Sequence, residues 1–480
     1  MTRPSTTMKT TSTPTLTALA LAVLLAAQLA GCASPGPAAP PLQADELPAG
    51  QAVAPVPVDW WKRFGDPQID ALVAEALANN RDLARAFARI DESRAALRAA
   101  NADRSPQVNA AASGARARSS ENGAIPGGGT ANLFNATVGV SYELDLWSKL
   151  TKASAAAREE LLATEYARDT LRTALAAQVV QSYATLLSLD AQIGIYQQVL
   201  VGQRDGLRLN KLRLDVGEMA ELDWRQLEAE LLNSELQLPK LERSRGEAER
   251  ALALVLGRSP KALIEQGIQR SVAAVPPVAD LPDALPSDLL LRRPDVQAAE
   301  ARLRAAGARV DVARAAYLPS ITLSAAFGRE STELSKLLDG PSLIWNVVAS
   351  LTQPIWNGGR LDAQRDAAQA RRLQAELDYR DAIATAFKET RDALAAHGEA
   401  RQSLDTSQRR SVALQRAAQL TKLRFEGGQV GRLQVIESER DALLSRLQAQ
   451  DERRALIAAQ AGVYRALGGG WRKPTTAAGE

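Results

Sequence analysis

The 480-residue chain has a single cysteine, Cys32, and a single histidine, His397. That inventory excludes a disulfide, a zinc site built on Cys and His, and a Cys–His nucleophile. Aromatic residues make up only 4% against an apolar content of 46%, so alanine supplies much of the apolar complement and bulky interior clusters are scarce. The formal net charge is +3 with no basic block, which leaves nucleic-acid binding without an electrostatic footprint. No set of titratable groups converges in a pattern for acid–base or nucleophilic work, so neither an enzyme nor a bound cofactor is expected. Proline is missing from Gly127 to Leu238 and again from Ile355 to Lys473, while seven of the 23 prolines fall between Pro239 and Pro294.

Helix formers fill the proline-free spans. Leu361 to Phe425 contains one glycine, Gly398, and is rich in Ala, Leu, Gln, Arg and Glu. A helix of that length runs about 100 Å at ~1.5 Å per residue, several times the usual globular helix. The composition predicts long helices near residues 148–214, 219–257, 359–425 and 430–467. His397 falls in the middle of one of them, where a packing role is expected.

The N-terminus reads as an address. Arg3 and Lys9 precede an apolar run from Leu16 to Ala30 that ends in Leu29-Ala30-Gly31-Cys32. The run is too short to span a bilayer and suits a signal peptide over residues 1–31. The tetrapeptide resembles the bacterial lipobox, whose cysteine is diacylated and becomes the first mature residue. Ala33 after it, in place of Asp, fits delivery to the outer membrane. Residues 32–58, dense in Pro and Ala, read as an extended tether to a body that begins near Asp59-Trp60-Trp61.

The body is written twice. Asp82–Pro106 matches Asp295–Pro319 without a gap, at an offset of 213 (295 − 82). Leu144-Asp145-Leu146-Trp147 matches Gln353-Pro354-Ile355-Trp356, and Arg213-Leu214-Asp215-Val216-Gly217 matches Arg424-Phe425-Glu426-Gly427-Gly428. The three blocks define a first repeat over 59–258, a linker over 259–286, a second repeat over 287–468 and a tail over 469–480. Each repeat reads helix, strand pair, long helix, reversal, long helix.

Period-two alternation marks the strands. Phe134, Ala136, Val138, Val140, Tyr142 and Leu144 alternate with polar residues, as do Ile321, Leu323, Ala325 and Phe327, then Trp345, Val347, Ala349 and Leu351. A weaker strand lies near 107–118, and the others are expected over 133–144, 320–328 and 343–353. Alternation over about ten residues, one face apolar and the other polar, is the pattern of a membrane β-barrel strand. Four strands cannot close a barrel. Two copies give eight, whose interior side chains fill; three give twelve, the smallest simple count that leaves a passage. A trimer is therefore expected. Its reversals, Asp215–Met219 and Glu426–Gly431, lie at the end opposite the membrane, and their glycines permit a tight backbone.

Leu285-Pro286, Arg292-Arg293-Pro294-Asp295, Ala299-Glu300, Ala315 and Pro319, followed by a strand, resemble the outer membrane factor (TolC-like) family in its lipoprotein, NodT-type branch. Thr352-Gln353-Pro354-Ile355-Trp356-Asn357-Gly358-Gly359-Arg360-Leu361 is similar to the second signature of that family. The resemblance covers residues from about 60 to 468. It implies a mainly α fold with membrane β-strands: a homotrimeric twelve-stranded barrel in the outer membrane that continues into a periplasmic α-barrel. It implies the exit duct of a tripartite export system, partnered by a periplasmic adaptor and an inner-membrane pump of the resistance-nodulation-division type. The proline-rich span becomes an equatorial belt. The tips Val216, Gly217, Glu218, Gly427, Gly428 and Gln429 become the surface met by the adaptor. Leu433 and Glu437, four apart on one helix face, align with a leucine ring and an acidic ring that narrow the entrance. Their partners in the first repeat are Leu222 and Gln226, where the acid is absent. Three carboxylates brought together at Glu437 favour cation passage. Arg293-Pro294-Asp295 reads as a helix start, with Pro in the first turn and Asp at the positive end of the dipole.

Two other classes stay open on residues alone. A lipid-anchored coiled-coil scaffold would bridge envelope layers without conducting, but has no reason for four alternating segments in two symmetric pairs. An anchored periplasmic enzyme would need convergent titratable groups.

Overall fold

A computed structural model describes residues 57–120, 129–265, 267–270 and 292–470. The signal peptide, Cys32, most of the tether, part of the first inter-strand loop, most of the linker with Leu285-Pro286, and residues 471–480 lie outside the described residues.

A short 3-10 turn, Trp60–Phe64, leads into α1 (Pro67–Asn79) and α2 (Arg81–Ala102). Local chemistry starts both helices. Asp66 accepts from Gln68 N–H with Pro67 at the first position, and Asn80 accepts from the N–H groups of Asp82 and Leu83. The chain then forms β1 (Gln107–Arg118), β2 (Thr130–Leu144), α3 (Lys149–Asp215) and α4 (Glu221–Val255), with Pro239 accommodated inside α4. After a single-turn α5 (Pro260–Glu265) come α6 (Pro294–Ala315), β3 (Ser320–Ser331), β4 (Leu343–Thr352), α7 (Arg360–Glu426) and α8 (Arg432–Ala466). The paired elements match in length: α3 and α7 have 67 residues each, α4 and α8 have 35 each, and α2 and α6 have 22 each. β2 begins at Thr130, which pairs with Arg118, and β3 extends to Ser331, which pairs with Phe134, so pairing lengthens both beyond their alternating cores.

The strands form one antiparallel sheet in the order β1-β2-β3-β4. The β2–β3 pairing joins the two repeats. The register stacks the apolar positions on one face: Val108 pairs with Val140, Val140 with Ala325, and Ala325 with Val347. In the next such row Ala110, Val138, Phe327 and Trp345 follow one another. Trp345 and Val347 are 70% and 72% exposed. The opposite face is mostly polar, with Glu143 opposite Thr322 and Thr322 opposite Ser350. Asn135 Nδ2 donates to Glu330 Oε2 across this face at 3.3 Å.

The helices repeat the strand order. α2 packs on α3, α3 on α6 and α6 on α7; farther from the sheet α4 packs on α3, α3 on α8 and α8 on α7. The result is a wall one helix thick, bounded by α2 and α4 on one edge and α7 on the other. The main core lies midway, where Trp60, Phe64, Leu72 and Val73 meet Val179, Val180 and Tyr183 of α3, Leu252 of α4 and Tyr464 of α8. Nearer the sheet the interior is largely Ala, as in the cluster of Ala163, Tyr166, Ala298 and Ala301, while toward the reversals Ile195, Tyr196 and Leu443 form a further cluster. Among the described residues, no helix is long and apolar enough to cross a membrane.

Candidate functional site

The two reversals at the helix ends farthest from the sheet are built alike. At the end of α3, Glu218 N–H donates to Arg213 O at 2.8 Å and Gly217 N–H to Leu214 O at 3.0 Å. At the end of α7, Gln429 N–H donates to Arg424 O and Gly428 N–H to Phe425 O, both at 2.9 Å. Each is a Schellman closure, which satisfies carbonyls the helix leaves open and needs a left-handed residue at its centre. Gly217 and Gly428 occupy that place with φ of +78° and +71°. Added Cβ atoms would meet nothing within 4 Å, so backbone conformation alone selects glycine at both.

Val216, Glu218, Gly427 and Gln429 are exposed around these glycines, and Arg424 Nε donates to Gln429 Oε1 at 3.3 Å. Leu222 and Leu433 occupy matching positions, each the second residue of its helix, and are 69% and 53% exposed. Glu437 is exposed one turn beyond Leu433, whereas Gln226 is half-buried. Leu433 and Glu437 thus share an open face, while in the first repeat Leu222 is open and Gln226 is half-buried. Both faces would present side chains to a neighbour or to water.

Sequence reasoning missed the link between the tips. Arg432, the first residue of α8, donates from Nη2 to Asn210 Oδ1 on α3 at 3.2 Å, and its guanidinium lies 4.1 Å from the centre of the Phe425 ring. Burial lowers the pKa of this guanidinium, with Asp223 and Glu439 opposing. Asn210 is itself held by donating to Gly206 O at 2.8 Å. On the other reversal Lys211 and Arg225 lie over Trp224 at 5.4 and 4.9 Å. The one available signal was the scarcity of aromatics: a Phe and a Trp beside the reversals stand out in so aliphatic a chain.

A second polar centre sits beside the core. Arg293 is buried and donates to Asp295 (3.0 and 2.7 Å), to Glu389 Oε2 (2.6 Å) and to the carbonyl of Ala466 (2.9 Å), tying the start of α6 to α7 and α8. It borders a cleft of about 190 Å³ shared with Thr170, Thr173 and Arg465. The guanidinium holds both Asp295 oxygens and one oxygen of Glu389 there, so the cleft is built around a brace. His397 is buried with Nε2 unpartnered, and burial followed by Arg401 lowers its pKa. Among the described residues, no group of His, Cys, Asp and Glu is placed to hold a metal.

Comparison with known proteins agrees with this architecture. The outer membrane efflux protein family model matches residues 72–258 and, a second time, 285–469, one match per repeat. The chain is 34% identical over 412 residues to the probable outer membrane lipoprotein SilC of Salmonella typhimurium, covering 86% of this chain and 88% of that protein. It is 34% identical over 446 residues to the pyoverdine export outer membrane protein OpmQ of Pseudomonas aeruginosa, covering 90% and 92%. The crystal structure of the Campylobacter jejuni CmeC outer membrane channel is similar with a TM-score of 0.83 at 26% identity, over 87% of this chain and 89% of that one.

Proposed function

Because this chain belongs to the outer membrane efflux protein family and is an outer-membrane efflux channel, we propose the following working form for it. Three identical copies pool their sheets into a twelve-stranded barrel, and their helical walls continue it as a water-filled periplasmic tube. The observation that carries this reading is the open single-layer wall: an apolar sheet face, a polar sheet face, and two unpaired edges on one chain. A membrane barrel has no edges, because each unpaired backbone group in lipid costs several kcal/mol. A scaffold without a channel would have no use for an apolar outer face and a polar inner one.

Cys32 carries the lipid anchor, and no further cofactor is needed. The tips Val216, Gly217, Glu218, Gly427, Gly428 and Gln429 receive a periplasmic adaptor, which couples the duct to an inner-membrane pump of the resistance-nodulation-division type. Leu433 and Glu437, with Leu222 and Gln226, line the periplasmic aperture. OpmQ is named for pyoverdine export and a further relative, CusC of Escherichia coli, for cation efflux, which fits a passive duct whose cargo is chosen upstream by the pump.

Planar-bilayer recording tests the reading. Purified protein is expected to give discrete, cation-preferring conductance steps, and a preparation that inserts without conducting would overturn it. Glu437→Ala is expected to lower the cation-to-anion permeability ratio. An unchanged ratio removes Glu437 from the aperture while leaving the channel itself standing. Mass spectrometry of the mature N-terminus is expected to find acylated Cys32 as residue one; an unmodified Cys32 would remove the anchor from this account.

A further inference from the structure

The charged residues of the sheet are sorted by face. β1 to β4 carry Arg116, Arg118, Glu143, Arg329 and Glu330. The register puts the three arginines on the apolar face, in line with Val108 along β1 and with Ile321 along β3. It puts both glutamates on the polar face, where Glu143 meets Lys149 at 2.6 Å and Glu330 accepts from Asn135. The apolar face of the strands thus carries cations alone, and the polar face acids alone.

The arginines are also sorted by height. β1 and β3 are repeat counterparts at an offset of 213 (320 − 107), and Arg116 and Arg329 hold the same place in them (329 − 116 = 213). Each stands eight residues beyond the first apolar position of its strand (116 − 108 and 329 − 321). Eight residues at ~3.4 Å, tilted by about 40°, climb about 20 Å, most of the ~25 Å apolar band of a membrane strand. Both strands run away from the helices, which extend into the periplasm. The arginines therefore reach the outer-leaflet edge of the band, where a lipid-facing charge costs least.

Hydrogen-bonding groups accompany them at that edge. Asn132 pairs with Arg116, Thr130 with Arg118, and Ser331 lies opposite Phe134 on the same face. Arg329 is held in place, its Nη1 donating to the carbonyls of Leu338 and Asp339, the second at 2.8 Å. Arg116 and Arg118 are exposed. Nearer the helices the same face is apolar and open, with Val138, Phe327 and Trp345 all exposed.

We propose that this rim binds anionic lipid of the outer leaflet: phosphorylated glycolipids whose phosphates are taken by Arg116 and Arg118 on β1 and by Arg329 on β3. A planar guanidinium meets a phosphate with two parallel hydrogen bonds, a fit that a lysine lacks. Thr130, Asn132 and Ser331 face the sugar hydroxyls, and the acyl chains lie along Val138, Phe327 and Trp345. The apolar surface directly beneath the cations selects a lipid, because a soluble anion has no use for it. The proposal rests on the membrane-barrel reading above and adds what the outer rim of that barrel holds.

Lipid A and the same glycolipid stripped of its phosphates test the site on detergent-solubilised full-length protein. Titration followed by native mass spectrometry is expected to show lipid A retained in preference to the phosphate-free form. Arg116→Gln/Arg118→Gln/Arg329→Gln is expected to weaken lipid A binding by about fivefold for each arginine removed, whereas Glu330→Gln, on the other face, keeps it. Because Arg329 also holds the β3–β4 loop, Arg116→Gln alone gives a variant that leaves that loop intact, with the single-arginine loss expected. Equal retention of the two glycolipids by wild type, or unchanged lipid A binding in the triple variant, would overturn the site. Displacement of lipid A by inorganic phosphate would overturn the lipid and assign the arginines to a soluble anion. Wild-type protein that fails to conduct across a planar bilayer would instead overturn the barrel beneath the site, whereas conducting protein without a glycolipid preference overturns the site alone.

Discussion

Arg293 shows how one side chain acquires a role no local pattern announces. Pro294 and Asp295 identify a helix start from sequence, but the guanidinium's other partners, Glu389 and Ala466 O, are 96 and 173 residues away. Removing a buried charge leaves its partners uncompensated, which costs about 3–5 kcal/mol. Because Glu389 is 38% exposed and water can take up part of its charge, Arg293→Met is expected near the low end, about 3 kcal/mol, read as a lower midpoint in urea unfolding of the detergent-solubilised protein. A midpoint within error of wild type would show that the brace carries no stability. His397 makes a pH-dependent contribution. Its pKa is lowered by burial, so the folded state favours the neutral imidazole. That contribution is present above the unfolded pKa of about 6.5 and is lost as pH falls toward the folded value. His397→Gln should therefore gain thermal stability relative to wild type on going from neutral to mildly acid buffer. Parallel melting-temperature profiles for the two proteins would contradict this.

At the scale of elements, long uninterrupted periodicity made the helices and strands readable. Helix propensity summed over more than sixty residues leaves few alternatives, and the alternation of β2, β3 and β4 is a local property of each segment. Chain ends of elements were less legible, because the extra residues of β2 and β3 are ordered by their partner strand. The reversals were legible through glycine, and their closures give that reading a mechanism. Gly428→Val places a β-branched residue at positive φ, a strain of about 1–3 kcal/mol. Faster hydrogen exchange confined to residues around 424–432 is the expected result, with the strands unaffected. Protection that stays unchanged would mean the turn tolerates a side chain at this φ. The link from Arg432 to Asn210 was not legible, since it joins residues 222 apart on different repeats.

At the scale of the molecule, the repeats are similar in sequence yet do not form two separate bodies. Trp60, before the first helix, stacks on Tyr464 of the last helix at 4.8 Å, and the core around them draws on α1, α3, α4 and α8 together. The sheet likewise needs β2 beside β3. Residues 57–258 and 287–470 expressed separately are therefore expected to be protease-sensitive, and to become resistant when expressed together. A first repeat that resists protease alone would show that the shared core is dispensable.

Periodicity, the proline distribution and the gapless repeat determined from sequence alone that this is a duplicated, mainly helical chain with four amphipathic strands, because each of those signals is set by neighbours along the chain. The tertiary structure decided which repeat edge lies inside and which outside, that Arg293 and Arg432 are the cross-braces, and that Gln226 is less open than Glu437. Those outcomes depend on which surfaces meet after the chain has turned back on itself. A contact between residues hundreds of positions apart leaves no local trace in either partner.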